Sequence, residues 1–279
     1  MKLMLVIPHG KFFQEAVSYT RLIAAQSGAS LLALYVAYNE EDRAAGEAAL
    51  AQLKELLPGV ELVAQLDIGT PIDEILARIV PQESIDLVII GAAKDPGFLR
   101  RAPEALVHRT IDKSPVPVLV VREAKKKLEH VLICTGGLDK GQNVIESGAQ
   151  MAENVGAKAT LLYVTGNVPS MYTGLGQMEV TLKQLLDTDT PLARNLRKAA
   201  AILEKHDVDG QLEMRQGVPD EAILSASQEG NYDLIVLGAS RAGKNLRNWL
   251  LGNVTRQVME KTTCPILIVH REDVLPSSA

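Results

Sequence analysis

The sequence predicts an α/β protein built from two repeated, doubly wound parallel-sheet domains. Three observations carry that prediction. Apolar residues gather in short continuous runs, such as Met4-Leu5-Val6-Ile7, Leu87-Val88-Ile89-Ile90 and Ile266-Leu267-Ile268-Val269. Strands buried on both faces read this way, which suits a parallel sheet covered by helices. Stretches of helical spacing separate the runs, so β and α units alternate. Finally, the second half of the chain restates the first.

Composition bounds the rest. The 279 residues are 47% hydrophobic and 23% charged, as in an ordinary globular protein. That length suits one large domain or two of roughly 140 residues. Two cysteines exclude a disulfide scaffold and point to a reducing compartment, hence a cytoplasmic location. Aromatics are only 4%, too few for a nucleic-acid stacking platform, and the net charge of −5 argues against nucleic acid as a partner. The first apolar run stops at Pro8-His9-Gly10, shorter than a signal sequence requires. No run approaches the ~18 residues of a membrane span, so no membrane association is expected.

The repeat is visible segment by segment. Leu32-Ala33-Leu34-Tyr35-Val36 returns as Thr160-Leu161-Leu162-Tyr163-Val164, 128 residues on. Gly69-Thr70-Pro71 returns as Gly217-Val218-Pro219 after 148, Asp86-Leu87 as Asp233-Leu234 after 147, and Pro117 as Pro265 after 148. The jump from 128 to 148 places 20 extra residues between Val164 and Gly217, which read as a loop or lid in the second repeat. The domains are expected to be 1–124 and 125–279, joined by the charged hinge Arg122 to Glu129, read as a solvated surface run.

Within each repeat the expected order is strand, helix, strand, helix, strand, helix, strand. The first helices bury Ala16, Val17, Ile23 and Ala24, or Val144, Ile145, Gly148, Ala149 and Ala152. Gly28 and Gly156 follow them at C′-like positions. Asp73-Glu74 and Asp220-Glu221 follow Pro71 and Pro219 as acidic first-turn residues.

Open α/β sheets bind ligands beyond the carboxyl ends of their strands. There the second repeat offers a loop from Gly238 through Ser240, Arg241, Gly243 and Lys244. Gly252-Asn253 follows, just before the apolar spacing Val254, Val258, Met259, and marks a helix start. A helix N-terminus presents free N–H groups and a positive dipole end to a phosphate. The plainer reading is a turn at Gly238 and Gly243 and a simple cap at Gly252-Asn253.

These segments together resemble a tandem universal stress protein of the UspA-like kind, over residues 1–124 and 128–272. The resemblance rests on the Gly238 loop, the Leu250-Leu251-Gly252 segment, Cys264-Pro265-Ile266-Leu267-Ile268-Val269, and Gly217-Val218-Pro219 ahead of Asp233. It implies a Rossmann-like fold of the adenine nucleotide alpha hydrolase type and a regulatory stress-response role. In nucleotide-binding members a G-x2-G-x9-G-[S/T] pattern holds ATP, and an Asp after the first strand holds the adenine. Carried over, this implies weak ATP binding by the second domain. The residues concerned are Thr135, Gly136, Val164, Gly238, Ser240, Arg241, Gly243, Lys244, Gly252, Asn253 and Val254.

The second repeat departs from that pattern. Gly238 and Gly252 stand one residue further apart than it allows. Arg241 replaces the second glycine, unless that glycine is displaced to Gly243, and Asn253 replaces Ser/Thr. Gly136 stands at the Asp position, with Asp139 nearby as a substitute or a helix cap. The first repeat keeps Gly91 but has Pro103-Glu104-Ala105 at the phosphate position and Gly10 at the Asp position, so it reads as a non-binding half. Two alternatives stand beside nucleotide binding: a protein–protein scaffold without nucleotide, and a slow ATPase. The ATPase lacks an identifiable general base or metal ligand, so the protein is expected not to be an enzyme. The resemblance also implies pairing of the repeats through their last strands, Val116–Val121 and Ile266–Val269. The sequence leaves further homodimerisation and protein partners open.

The five histidines, His9, His108, His130, His206 and His270, lack metal-site spacing, so no metal is expected. Cys134 closes one strand and Cys264 opens another, at opposite sheet edges, which excludes a disulfide between them. Ser225-Ala226-Ser227 reads as helix end rather than nucleophile, and Trp249 as packing.

Overall fold

The computed structural model describes residues 1–7, 13–92, 102–135, 141–165, 187–241, 249–250 and 252–270. The first half runs β1 (Lys2–Ile7), α1 (Phe13–Ser27), β2 (Ser30–Ala37), α2 (Arg43–Leu56), β3 (Leu62–Ile68), α3 (Ile72–Gln82), β4 (Leu87–Gly91), α4 (Ala102–Lys113) and β5 (Val118–Val121). The second half runs β6 (His130–Thr135), α5 (Gln142–Val155), β7 (Lys158–Thr165), α6 (Pro191–Lys205), β8 (Gly210–Gln216), α7 (Pro219–Glu229), β9 (Leu234–Arg241), β10 (Trp249–Leu250), α8 (Asn253–Lys261) and β11 (Ile266–His270).

Each half thus has one long strand and one helix more than its apolar runs announce, and the second half adds the two-residue β10. The additional strands, β3 and β8, lie at the two ends of the sheet. Edge strands face water on one side, so they need no continuous apolar run. Val63 is 55% exposed in β3, and β8 reads Gly-Gln-Leu-Glu-Met-Arg-Gln.

All ten long strands join one sheet, in the order β3-β2-β1-β4-β5-β11-β9-β6-β7-β8. Neighbours are parallel except at the centre, where β5 and β11 run antiparallel with Leu119 opposite Leu267. The repeats therefore continue one another's sheet through their last strands. Among the described residues strand β10 pairs with β9 alone.

Successive residues of each strand serve opposite faces. Leu3, Leu5 and Ile7 of β1 join a core beneath α1, α2, α5 and α6. Met4 and Val6 join a second core beneath α3, α4, α7 and α8. Both cores run through both halves. Gly148 lets α5 lie close on the sheet, because a Cβ there would sit 2.7 Å from Ile133 Cδ1. Gly156 ends α5 at φ +64°, a left-handed conformation that glycine adopts without penalty. The Ala157 N–H then donates to the Ala152 carbonyl at 2.9 Å.

Besides the β5–β11 ladder, side-chain hydrogen bonds cross between the halves. The Tyr19 hydroxyl of α1 donates to the Asp233 carbonyl at 2.9 Å, and His270 Nε2 donates to the Ile111 carbonyl at 3.0 Å. The hinge is less solvated than its charges suggest. Arg122 and Leu128 are buried, while Lys126 and Lys127 are exposed.

The extra residues of the second half are now located. Five residues join β2 to α2, whereas 25 join β7 to α6. The stretch leaves from the carboxyl end of β7.

Candidate functional site

The chain moves outward from β6 to β7 and β8, then returns to β9 on the other side of β6. The carboxyl ends of β6 and β9 therefore flank the topological switch point, where open α/β sheets leave a crevice. Thr135 ends β6 and Gly238 lies in β9, while Val164 near the end of β7 is half-buried and pairs with Arg215 of β8. Parallel register brings these three residues to one sheet edge.

Of the helices that start there, α5 follows β6 and α8 follows β9 and β10. Helix α8 begins at Asn253, with Gly252 as its N-cap and no side-chain cap hydrogen bond. Among the described residues no cap side chain accepts from its first-turn N–H groups, the condition that suits an anion. The buried Thr255 hydroxyl donates to the Gly238 carbonyl at 2.8 Å, which ties this first turn to β9. The Asn253 side chain lies 3.4 Å from an Arg256 guanidinium nitrogen, and Val254 packs partly buried against the core. Helix α5 begins after Gly141, likewise without a side-chain cap hydrogen bond. A Cβ on Gly141 would lie 2.7 Å from Thr135 Oγ1, so this glycine admits the end of β6 to the helix start.

One expectation changes here. Gly238 to Arg241 is strand rather than loop, and Ser240 and Arg241 pair with Leu250 and Trp249 in a short antiparallel ribbon. Trp249 accordingly sits on a strand, β10. Gly136, Gly243 and Lys244 lie outside the described residues, as do His9 and Asp139.

The first half is built differently at the matching place. Helix α4 starts at Ala102, so Glu104 falls inside its first turn rather than at a cap.

Sequence reasoning missed Thr255. The available signal was a hydroxyl residue two positions into a helix whose cap, Gly252, has no side chain. It also missed the purpose of the repeated Asp-Leu strand starts. The Asp86 carboxylate accepts the Lys2 N–H at 2.7 Å, and that of Asp233 accepts the Glu129 and His130 N–H groups at 2.9 and 3.2 Å. These aspartates tie strand starts together.

The remaining reactive side chains are committed elsewhere. Burial pushes the thiols of Cys134 and Cys264 well up, which makes them poor nucleophiles, and both are free. Ser225 lies within α7 and bonds Arg215 at 3.1 Å as well as Glu229. Among the described residues, no group of three or more His, Cys, Asp or Glu is placed to hold a metal ion, and no helix is long and apolar enough to cross a membrane.

Comparison with known proteins identifies the architecture. The universal stress protein family model matches residues 9–122 and again 127–270. A universal stress protein of Methanocaldococcus jannaschii is 28% identical over 156 residues, covering 54% of this chain and 88% of the relative. One from Synechocystis is 25% identical over 183 residues, covering 65% of this chain and 57% of the relative. The crystal structure of a universal stress protein from Archaeoglobus fulgidus superposes with a TM-score of 0.73 at 15% identity, over 97% of this chain and 98% of that one. A protein of unknown function from Pseudomonas aeruginosa gives 0.64 at 18% identity, over 96% and 92%. The chain belongs to the universal stress protein family and carries the family's domain twice in tandem.

Proposed function

We propose that this protein is a cytoplasmic stress-response regulator whose second domain, residues 125–279, binds an adenine nucleotide such as ATP without catalysing a reaction on it. One observation carries the reading: the 2.8 Å hydrogen bond from Thr255 to Gly238, which seats the uncapped start of α8 beside the switch point. Backbone N–H groups at Gly252, Asn253 and Val254 would face the phosphates, with Gly238, Ser240, Arg241, Gly243 and Lys244 along the adjoining chain. Thr135, Gly136 and Val164 are assigned to the base side. The first domain, residues 1–124, takes no nucleotide because Glu104 occupies the matching turn.

Calorimetric titration of the full chain with ATP, ADP and AMP, with and without magnesium, tests this. Saturable binding that Gly252→Asp removes and Glu104→Gln leaves intact is the expected result. No saturable binding at millimolar nucleotide overturns the reading. A protein–protein scaffold is the second reading, and the 25-residue connection leaving the carboxyl end of β7 favours it.

A further inference from the structure

A half-open cavity of about 450 Å³ lies at the seam between the two halves, where its lining residues Val269 and His270 pair with Gly238 and Ala239 of β9. Met1, Asp86 and Leu87 of the first half and Ser147, Met151 and His270 of the second form much of its wall. Its position relates to the internal repeat. Strands β1 and β6 start 128 residues apart, at Lys2 and His130, and Gly28 and Gly156 follow α1 and α5 at the same interval. Ser147 is therefore the counterpart of Tyr19. Asp86 and Asp233, each just ahead of an equivalent strand, are counterparts as well.

On one side of the seam the fully buried Tyr19 ring fills its space, and its hydroxyl donates to the Asp233 carbonyl. On the other side the serine is too small to do so, and the cavity stands beside it with Asp86 in the wall. A second observation points the same way. Asn143, one turn from Ser147, lines this cavity, and its Nδ2 is buried without a hydrogen-bond partner. An orphaned donor is costly, and a bound acceptor would relieve it.

We propose that the cavity is a binding site for a small neutral aromatic carrying a hydroxyl group and a separate acceptor group. The ring takes the space that Tyr19 fills on the other side. The hydroxyl donates to the Asp86 carbonyl as Tyr19 does to that of Asp233, since a carbonyl oxygen has two lone pairs. The acceptor receives the Asn143 amide. Among the described residues no lysine or arginine lines the cavity, which suits a neutral ligand. The volume is within the range of small-molecule sites.

The test is a titration of the full chain, labelled with carbon-13 at its methionine methyls, with methyl 4-hydroxybenzoate. Saturable shifts at Met1 and Met151, which line the cavity, are expected, with binding about tenfold weaker for methyl benzoate, which lacks the donor. Ser147→Tyr, which supplies the chain's own phenol, is expected to abolish the shifts and raise the Tm. Should that variant fail to fold, Ser147→Leu narrows the same space and is expected to weaken binding. No saturable shift at Met1 or Met151, or undiminished binding by a folded Ser147 variant, overturns the proposal.

Discussion

His206 Nδ1 lies 2.6 Å from a Glu153 carboxylate oxygen, which fastens the C-terminal end of α6 to α5. Its Nε2 lies 2.9 Å from Glu146. The hydrogen bond to Glu153, followed by that to Glu146, raises the imidazole above its ordinary value of 6.5. A histidine raised by folding stabilises fully below its unfolded value and loses that contribution as pH rises through the folded one. Urea unfolding should therefore show His206 contributing less as pH climbs above 6.5. His206→Gln should flatten that part of the profile.

His130 behaves in the opposite sense. Burial first, then Lys158, lowers its value, and its ring packs against Tyr232 with centroids 4.2 Å apart. A lowered histidine costs stability as pH falls below 6.5, because the unfolded chain takes up the proton more readily. In an NMR titration the His206 ring protons should move above pH 6.5 and those of His130 below it.

Thr255→Val keeps the shape of the side chain and deletes its hydrogen bond to Gly238. The loss should be about 1 kcal/mol in denaturant unfolding, with weaker nucleotide binding if α8 is no longer held to β9.

Gly148→Ala would push a methyl group against Ile133. Overpacking of this kind costs about 1–3 kcal/mol. Ile133→Val removes the Cδ1 atom at 2.7 Å and should recover part of the loss, visible as coupling in a double-mutant cycle.

Tyr19→Phe removes the hydroxyl that reaches Asp233 and should cost about 1 kcal/mol, read as a lower denaturation midpoint at unchanged m-value.

The central strands were legible because β1, β4 and β11 are buried on both faces and must be apolar throughout. Strands β3 and β8 were not, since Val63 meets water and Glu213 and Arg215 pair with each other at the sheet's edge. The start of α8 was readable from Gly252 and the spacing of Val254, Val258 and Met259. The extension of β9 through Arg241 was not, because its partner is the two-residue strand β10, too short to leave a periodic pattern. Nor could the asymmetry between Tyr19 and Ser147 acquire meaning before the two halves were placed side by side.

The antiparallel pairing of β5 with β11 has a consequence for how the two halves have diverged. Partners on separate chains must find each other at whatever abundance the cell supplies. Partners on one chain meet at an effective concentration that a short linker sets on the order of millimolar. The half with Glu104 is carried on the same chain as the half with Gly252 and meets it at that concentration. Pairing then tolerates changes at either half that would weaken it between separate chains.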